Sequence, residues 1–293
     1  MYEKIEICPS CNSKDFSNHL ICDDHSLTKE SFAIMKCQNC GLLVTSPRPD
    51  KDSIGKYYQF DDYISHTDKA NNLTNWLYKI VRQYTIKQKT KMLSALVEKK
   101  NILDYGCGTG QLLEHLKEDE WTVTGIEPDP RARELAIQKT KADIHSSLAE
   151  LGKKKFDIIT LWHVLEHVHD LNDTIDQLAM HLPKKSHMVI ALPNYESYDQ
   201  RFYKEYWAGY DVPRHLYHFN QQTIKELMKY HSFKLVKTKP MKFDSFYVSL
   251  LSEKYKNGKA KLLKAFLIGL LSNRWARKHQ GNYSSIIYIF KKV

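Results

Sequence analysis

Short apolar runs, spaced by longer mixed segments, organise most of this 293-residue chain. Ile102–Leu103 lies in a short strand ending at Asp104, and Gln111 to Lys117 predicts a helix. A second strand, Thr122 to Ile126, runs up to Glu127, and a short third strand precedes Ser147. A fourth begins at Phe156 and ends near Trp162; a fifth, Met188 to Leu192, stops at Pro193-Asn194. Lys234 to Lys237 and Ser284 to Phe290 predict the sixth and seventh strands. Upstream, Trp76 to Glu98 predicts a helix, and Ser31 to Met35 is a strand-like piece suited to a hairpin. Thr45-Ser-Pro-Arg-Pro49 predicts extended backbone, because a residue before proline avoids the helical region.

Between the sixth and seventh strands, Gly258 to Lys278 predicts one amphipathic helix with Lys259, Lys261 and Lys264 at one end and Arg274 to Lys278 at the other. Three roles stand for it: a lid over a pocket, a homodimer contact, or peripheral contact with an anionic membrane through 259–278. Its apolar run, Ala265 to Leu271, is far shorter than the ~20 residues needed to span a bilayer. The expected organisation is a zinc-binding ribbon module at 1–46, a linker and helical cover at 47–98, and a main domain at 99–293 with a helical insertion at about 244–280.

A net charge of +10 admits anionic partners, but the lysines are spread along the chain and equally suit a solvated basic surface. No secretory signal opens the sequence, since the charged residues up to Ile7 run directly into Cys8. Cys8-Pro-Ser-Cys11 and Cys37-Gln-Asn-Cys40 are two Cys-x-x-Cys knuckles, each able to deliver two thiolates from one tight loop. Zinc is the expected occupant, with a redox dithiol or unrelated free cysteines as alternatives. Four thiolates leave no open coordination position, so the role would be structural or recognitional. Cysteines used for metal point to a reducing, cytoplasmic compartment.

The richest stretch is Asp104-Tyr-Gly106-Cys107-Gly108-Thr-Gly110. Alternating glycines let a ligand press against the backbone. Glu127, at the end of the next strand, stands where an acid accepts ribose hydroxyls. Dinucleotide sites use Gly-x-Gly-x-x-Gly to bring amides to a pyrophosphate. Here a carboxylate precedes the first glycine by two residues, which repels pyrophosphate and suits an ammonium and a sulfonium, the groups of S-adenosylmethionine.

These residues resemble the class I S-adenosylmethionine-dependent methyltransferases. Ile102 to Gly110 is similar to the family's first motif, Gly125-Ile-Glu127-Pro128-Asp129 to its second, and Phe156 to Val168 to its fourth strand and following turn. The resemblance implies a Rossmann-like, doubly wound α/β fold: seven mostly parallel strands with the last antiparallel. It implies that Asp104, Gly106, Cys107 and Gly108 line the methionine part of the cofactor and that Glu127 and Pro128 meet the ribose. Ser147 and Leu148 would approach the adenine, Leu161, Trp162 and His163 would close the site, and Tyr63 would fold over it. Cys107 also reads as a small packed residue, and Tyr63, like Tyr57 and His66, as ordinary packing.

Two clusters stand on the acceptor side. His163, Glu166, His167 and His169 are similar to a Glu-x-x-Glu-His segment that holds a divalent ion in some methyltransferases, with His163 replacing the first Glu. The other reading has Glu166 and His167 holding the turn. Tyr206 to Phe219 follows the fifth strand and carries Arg214 and His215. It resembles the His-containing loop of zinc-binding deoxysugar C-methyltransferases, with Arg214-His215-Leu216 where those have Glu-His-Leu. His215 is the candidate general base, against a structural hydrogen-bonding role, and Arg214 a candidate clamp for phosphate or carboxylate.

The expected activity is methyl transfer to oxygen or carbon of a small-molecule acceptor (sugar, lipid or secondary-metabolite precursor), with His163 and His215 near the reacting atoms. The alternatives are an RNA methyltransferase, against which stands the lack of a concentrated basic stripe with interleaved aromatics, and a non-catalytic scaffold.

Overall fold

A computed structural model describes residues 1–58 and 73–293. The N-terminal residues β2 (Phe16–Asp23) and β3 (Ser31–Cys37) form an antiparallel hairpin, and β4 (Leu43–Thr45) pairs with β3. β1 (Tyr2–Glu3) pairs separately with β5 (Arg48–Pro49). Asp24 closes the hairpin turn by accepting from the backbone amides of Ser26, Leu27 and Thr28. A helix, α1 (Leu73–Ser94), leads into the main sheet, ending four residues before the expected Glu98.

That sheet is built from β6 (Asn101–Tyr105), β7 (Thr122–Ile126), β8 (Asp143–His145), β9 (Ile158–Trp162) and β10 (His187–Pro193), joined by α2 (Gln111–Glu118), α3 (Pro130–Thr140) and α4 (Leu171–Met180). After β10 come α5 (Tyr198–Tyr203), β11 (Tyr217–His218), α6 (Gln221–Tyr230) and β12 (Phe233–Pro240). Two helices, α7 (Asp244–Asn257) and α8 (Leu262–Lys278), precede β13 (Ser285–Lys292). The strand order is β12-β13-β10-β9-β6-β7-β8. β13 is antiparallel to both neighbours and the other pairs are parallel, as expected.

The central strands are apolar on both faces because helices cover both. Leu103, Ile159, Leu161 and Ile190 pack into one layer, Ile102, Ile158, Val189 and Ala191 into the other. The helix expected over 258–278 is α8, which begins four residues later, at Leu262. Gly258 takes φ +72°, ends α7, and lets the chain turn back into α8.

β11 leaves the main domain's loop to pair antiparallel with β4, making the fourth strand of the N-terminal sheet. Cys8, Cys37, Leu42 and Val44 share one apolar layer with Leu103, Ile159 and Leu192. The N-terminal hairpin is thus part of the wall around the loop that carries His215. Among the described residues, no helix is long and apolar enough to cross a membrane.

Candidate functional site

The strand order reverses between β6 and β9, so their carboxyl ends diverge and leave a crevice. Asp104 sits at this edge, 3% exposed, and its Oδ1 accepts from the Thr160 hydroxyl at 2.6 Å. Burial pushes its carboxyl up to about 6, partly offset by the Thr160 hydrogen bond and by Lys89. Thr160 is a residue the sequence reading missed; its signal was one polar side chain within the buried run Ile158 to Leu161. Gly106 takes φ +77°, and a Cβ there would lie 2.5 Å from Val164 Cγ2, so no other residue fits. Gly108 takes φ +55°, but nothing stands within 4 Å of where its Cβ would be: the loop faces open space. Cys107 packs against Gly125, and burial raises its thiol.

Glu127 anchors the far side of this space. Its Oε2 accepts from the Gly108 amide at 2.8 Å and its Oε1 from the Asp129 amide at 3.0 Å. Each oxygen keeps a second lone pair, enough for the two hydroxyls of a ribose. Burial raises this carboxyl too. Two acids lifted by burial around an open loop are complementary to a cationic ligand. Pro128 is exposed beside Glu127; Ser147 is exposed and Leu148 half-buried at the end of β8. Leu161 is fully buried in the sheet, whereas Trp162 emerges at its edge with its Nε1 buried and without a hydrogen-bond partner. Tyr63 and His66 lie outside the described residues.

His163, at φ +57°, turns the chain off β9. Its Nδ1 lies 3.4 Å from Glu166 Oε1 and its Nε2 3.2 Å from Asp244 Oδ2. Burial works to depress the imidazole, but these two carboxylates outweigh it and raise it to about 9. The Lys89 ammonium stands 3.8 Å over the Trp162 ring. Asp244 and Lys89 come from α7 and α1, and no local pattern announced either.

Behind His163 is a second cluster. One ligand atom from each of Glu166, His167 and His215 lies within 4.8 Å of the others. Glu166 is 1% exposed, and at 3.4 Å its contact with His163 is an ion pair without hydrogen-bond geometry, so both carboxylate oxygens are buried without a hydrogen bond. His215 Nδ1 bonds the Gly209 carbonyl at 2.9 Å and His167 Nδ1 the Arg214 carbonyl at 3.0 Å. A carbonyl only accepts, so His215 Nδ1 carries a proton, whereas His167 Nδ1 also lies 3.0 Å from the Tyr58 hydroxyl, which can donate to it. Burial, with His215 adding to it, lowers His167 to about 4. His169 Nε2 lies 3.0 Å from the Pro49 carbonyl.

Arg214 does not face a ligand. Its guanidinium is buried and bonds Asp24 at 3.0 Å, Asp211 at 2.6 Å and the Tyr57 carbonyl at 3.1 Å. The expected clamp is therefore an internal one, joining the hairpin turn to the loop of His215.

The four knuckle thiols converge. Cys8 and Cys40 sulfurs are 3.6 Å apart, Cys11 and Cys37 3.5 Å, and all four lie within 4.8 Å of one another. Metal–sulfur bonds of 2.3 Å in a tetrahedron give sulfur–sulfur edges of about 3.8 Å, so the donor set fits zinc.

Comparison with known proteins agrees with this geometry. The family described as a methyltransferase domain matches residues 78–238. The ubiquinone biosynthesis O-methyltransferase of Rickettsia typhi is similar, 24% identical over 251 residues that cover 83% of this chain and 94% of that protein. The one from Pelagibacter ubique is 31% identical over 122 residues, covering 39% of this chain and 49% of its own, so the chain spans about half of that relative. Magnesium protoporphyrin IX methyltransferase from Synechocystis, with bound SAH, superposes at a TM-score of 0.55 and 17% identity, covering 83% of this chain and 100% of that one. The [4+2]-cyclase SpnF superposes at 0.51 and 13% identity over 84% of this chain and 98% of its own, so the fold alone does not define the reaction. The family match over more than half of the chain, set beside the glycine loop and its two acids, places this protein among the class I S-adenosylmethionine-dependent methyltransferases.

Proposed function

We propose that the chain transfers the methyl group of S-adenosylmethionine to an oxygen of a small-molecule acceptor, with carbon as the other candidate atom. The observation that carries this reading is the open face of the glycine loop between two acids raised by burial, Asp104 and Glu127. The relatives named O-methyltransferases favour oxygen. The acceptor hydroxyl gives its proton to His215 Nε2 while its oxygen attacks the methyl carbon. The carbon–sulfur bond breaks, and the electron pair leaves with a neutral thioether. His163, protonated at neutral pH, stabilises negative charge as it develops on the acceptor. Most of the rate comes from in-line positioning. Calorimetry with S-adenosylmethionine, followed by a methyl-sized mass gain in extract components, tests it. Full turnover by His215→Ala on an acceptor found that way would remove His215 from the chemistry.

A second reading of the acceptor side has a divalent cation held by Glu166, His167 and His215. The orphaned Glu166 oxygens favour it, and so does the His215 imidazole, whose Nδ1–H is fixed by the Gly209 carbonyl, the arrangement that orients histidine ligands. Such an ion supplies Lewis acidity toward an acceptor hydroxyl. Mn²⁺ binding to the wild type, lost in His215→Ala, is the outcome this reading requires. At the N-terminus, Cys8, Cys11, Cys37 and Cys40 hold a structural zinc ion, to be checked by metal analysis at one ion per chain.

A further inference from the structure

A groove opens from the transfer end of the site between α1, residues 239–246 and α8, and it encloses about 1220 Å³. That exceeds the roughly 300–1,000 Å³ usual for drug-sized ligands. Lys89, seated on Trp162, and Asp244, paired with His163, line it, so it adjoins the residues at the edge of β9. Its other lining is largely apolar: Met92, Met241, Phe243 and, along α8, Leu267, Leu270 and Leu271. These three leucines are 49%, 44% and 46% exposed, and Leu263 and Phe266 one turn earlier are 75% and 52% exposed. The spacing of 263, 267, 270 and 271 puts them on one side of the helix, so an apolar track runs from the groove onto the surface. A contiguous track of this kind marks a binding surface.

The rim carries Lys239, Lys242, Arg274, Arg277 and Lys278. Among the described residues, no carboxylate lies within ion-pair distance of any of the five. The one acid among the described lining residues, Asp244, is taken by His163. Arg277 and Lys278 complement the carboxyl end of α8, but that does not account for Lys239, Lys242 or Arg274. Asn273 also lines the groove, 8% exposed, with its side-chain amide nitrogen on the Lys242 carbonyl and its Oδ1 buried without a partner. Five cations and an unsatisfied acceptor over an apolar wall suit a ligand with several anionic oxygens, a hydroxyl or amide, and a long chain.

We infer that the groove binds the acceptor as a lipid phosphate: an apolar chain along α8, a phosphate or diphosphate among the basic side chains, and the group to be methylated toward His163. This rests on the methyl-transfer reading and narrows it to an acceptor class. The probe is farnesyl diphosphate, measured by calorimetry on the full chain, with farnesol and inorganic diphosphate as separate arms. Farnesyl diphosphate should bind, and the arms should bind at least roughly tenfold more weakly. Arg274→Gln with Arg277→Gln, and separately Leu267→Glu with Leu271→Glu, should each weaken it by roughly tenfold or more. These four side chains are exposed, and unchanged S-adenosylmethionine binding certifies the fold of the variants. Farnesol binding as tightly as farnesyl diphosphate, inorganic diphosphate doing so, or variants without effect would each overturn the proposal. So would a stable dimer that Leu267→Glu dissociates, because a second copy would then cover the track. If farnesyl diphosphate fails while S-adenosylmethionine binds, only the groove proposal falls; if S-adenosylmethionine itself fails to bind, the reading beneath it falls.

Discussion

Replacing Asp104 by Asn should stabilise the ligand-free protein and cost it most of its affinity for S-adenosylmethionine. In the fold, burial raises this carboxyl from 3.8 to about 6. Its folded value exceeds its unfolded one, so the ionised carboxylate weakens the fold at neutral pH, and that cost disappears as the pH falls. At 1.36 kcal/mol per unit, the shift corresponds to about 3 kcal/mol above pH 6. Asn keeps an oxygen for the Thr160 hydroxyl, now 2.6 Å from Asp104, and removes the charge. Urea unfolding at pH 8 should show the variant more stable by about 2 kcal/mol, with the gap narrowing below pH 6 and closing near pH 4. Calorimetry should show affinity for the cofactor reduced roughly 10–100-fold, the value of a charge-assisted contact. The wild type should also lose affinity below pH 6, while the variant stays flat. A variant less stable than wild type at pH 8, or one that binds the cofactor equally well, would refute the argument.

Other outcomes follow from contacts already described. Arg214→Met leaves Asp24 and Asp211 without their shared cation and should destabilise the chain by about 3–5 kcal/mol in chemical unfolding. Gly106→Ala meets both a φ of +77° and Val164 Cγ2 at 2.5 Å, so cofactor binding should fall sharply even where the variant folds. Chelation should release one zinc per chain and lower the thermal midpoint of the whole protein, because Cys8 and Cys37 pack in the same layer as Leu103; a release that leaves the midpoint unchanged would show the knuckles to be an appendage. The His163 imidazole should titrate near 9 by NMR and move down in Asp244→Asn, which removes one of the two carboxylates holding it up.

The fold was legible where the chemistry is local. The apolar runs of Leu103, Ile159 and Ile190 read as strands because both faces of a parallel sheet are covered, and the glycine loop read as a ligand turn because Gly106 and Gly108 need positive φ. Thr160 was within reach, as a lone hydroxyl in an apolar strand. Asp244 and Lys89 were not: each acts across the crevice from a helix whose sequence carries no mark of where it packs. The same holds for Arg214, whose partners include Asp24 at a sequence separation of 190. Long-range partners depend on how elements pack, which composition and spacing do not encode. The helix over 258–278 was legible as α8 from its apolar run between basic ends, whereas α7 was covered only by the helical insertion expected at about 244–280, and the reversal at Gly258 went unread.

The strand β11 has a consequence for how this chain comes into being. Its backbone completes a sheet begun by β4, and the Thr45 hydroxyl bonds the His215 carbonyl at 2.7 Å over a separation of 170 residues. At roughly 5–20 residues per second, a ribosome leaves the early hairpin waiting on the order of 10–30 s for its last strand. Through that interval the edge of β4 is an unpaired row of amides and carbonyls, a template for the wrong neighbour.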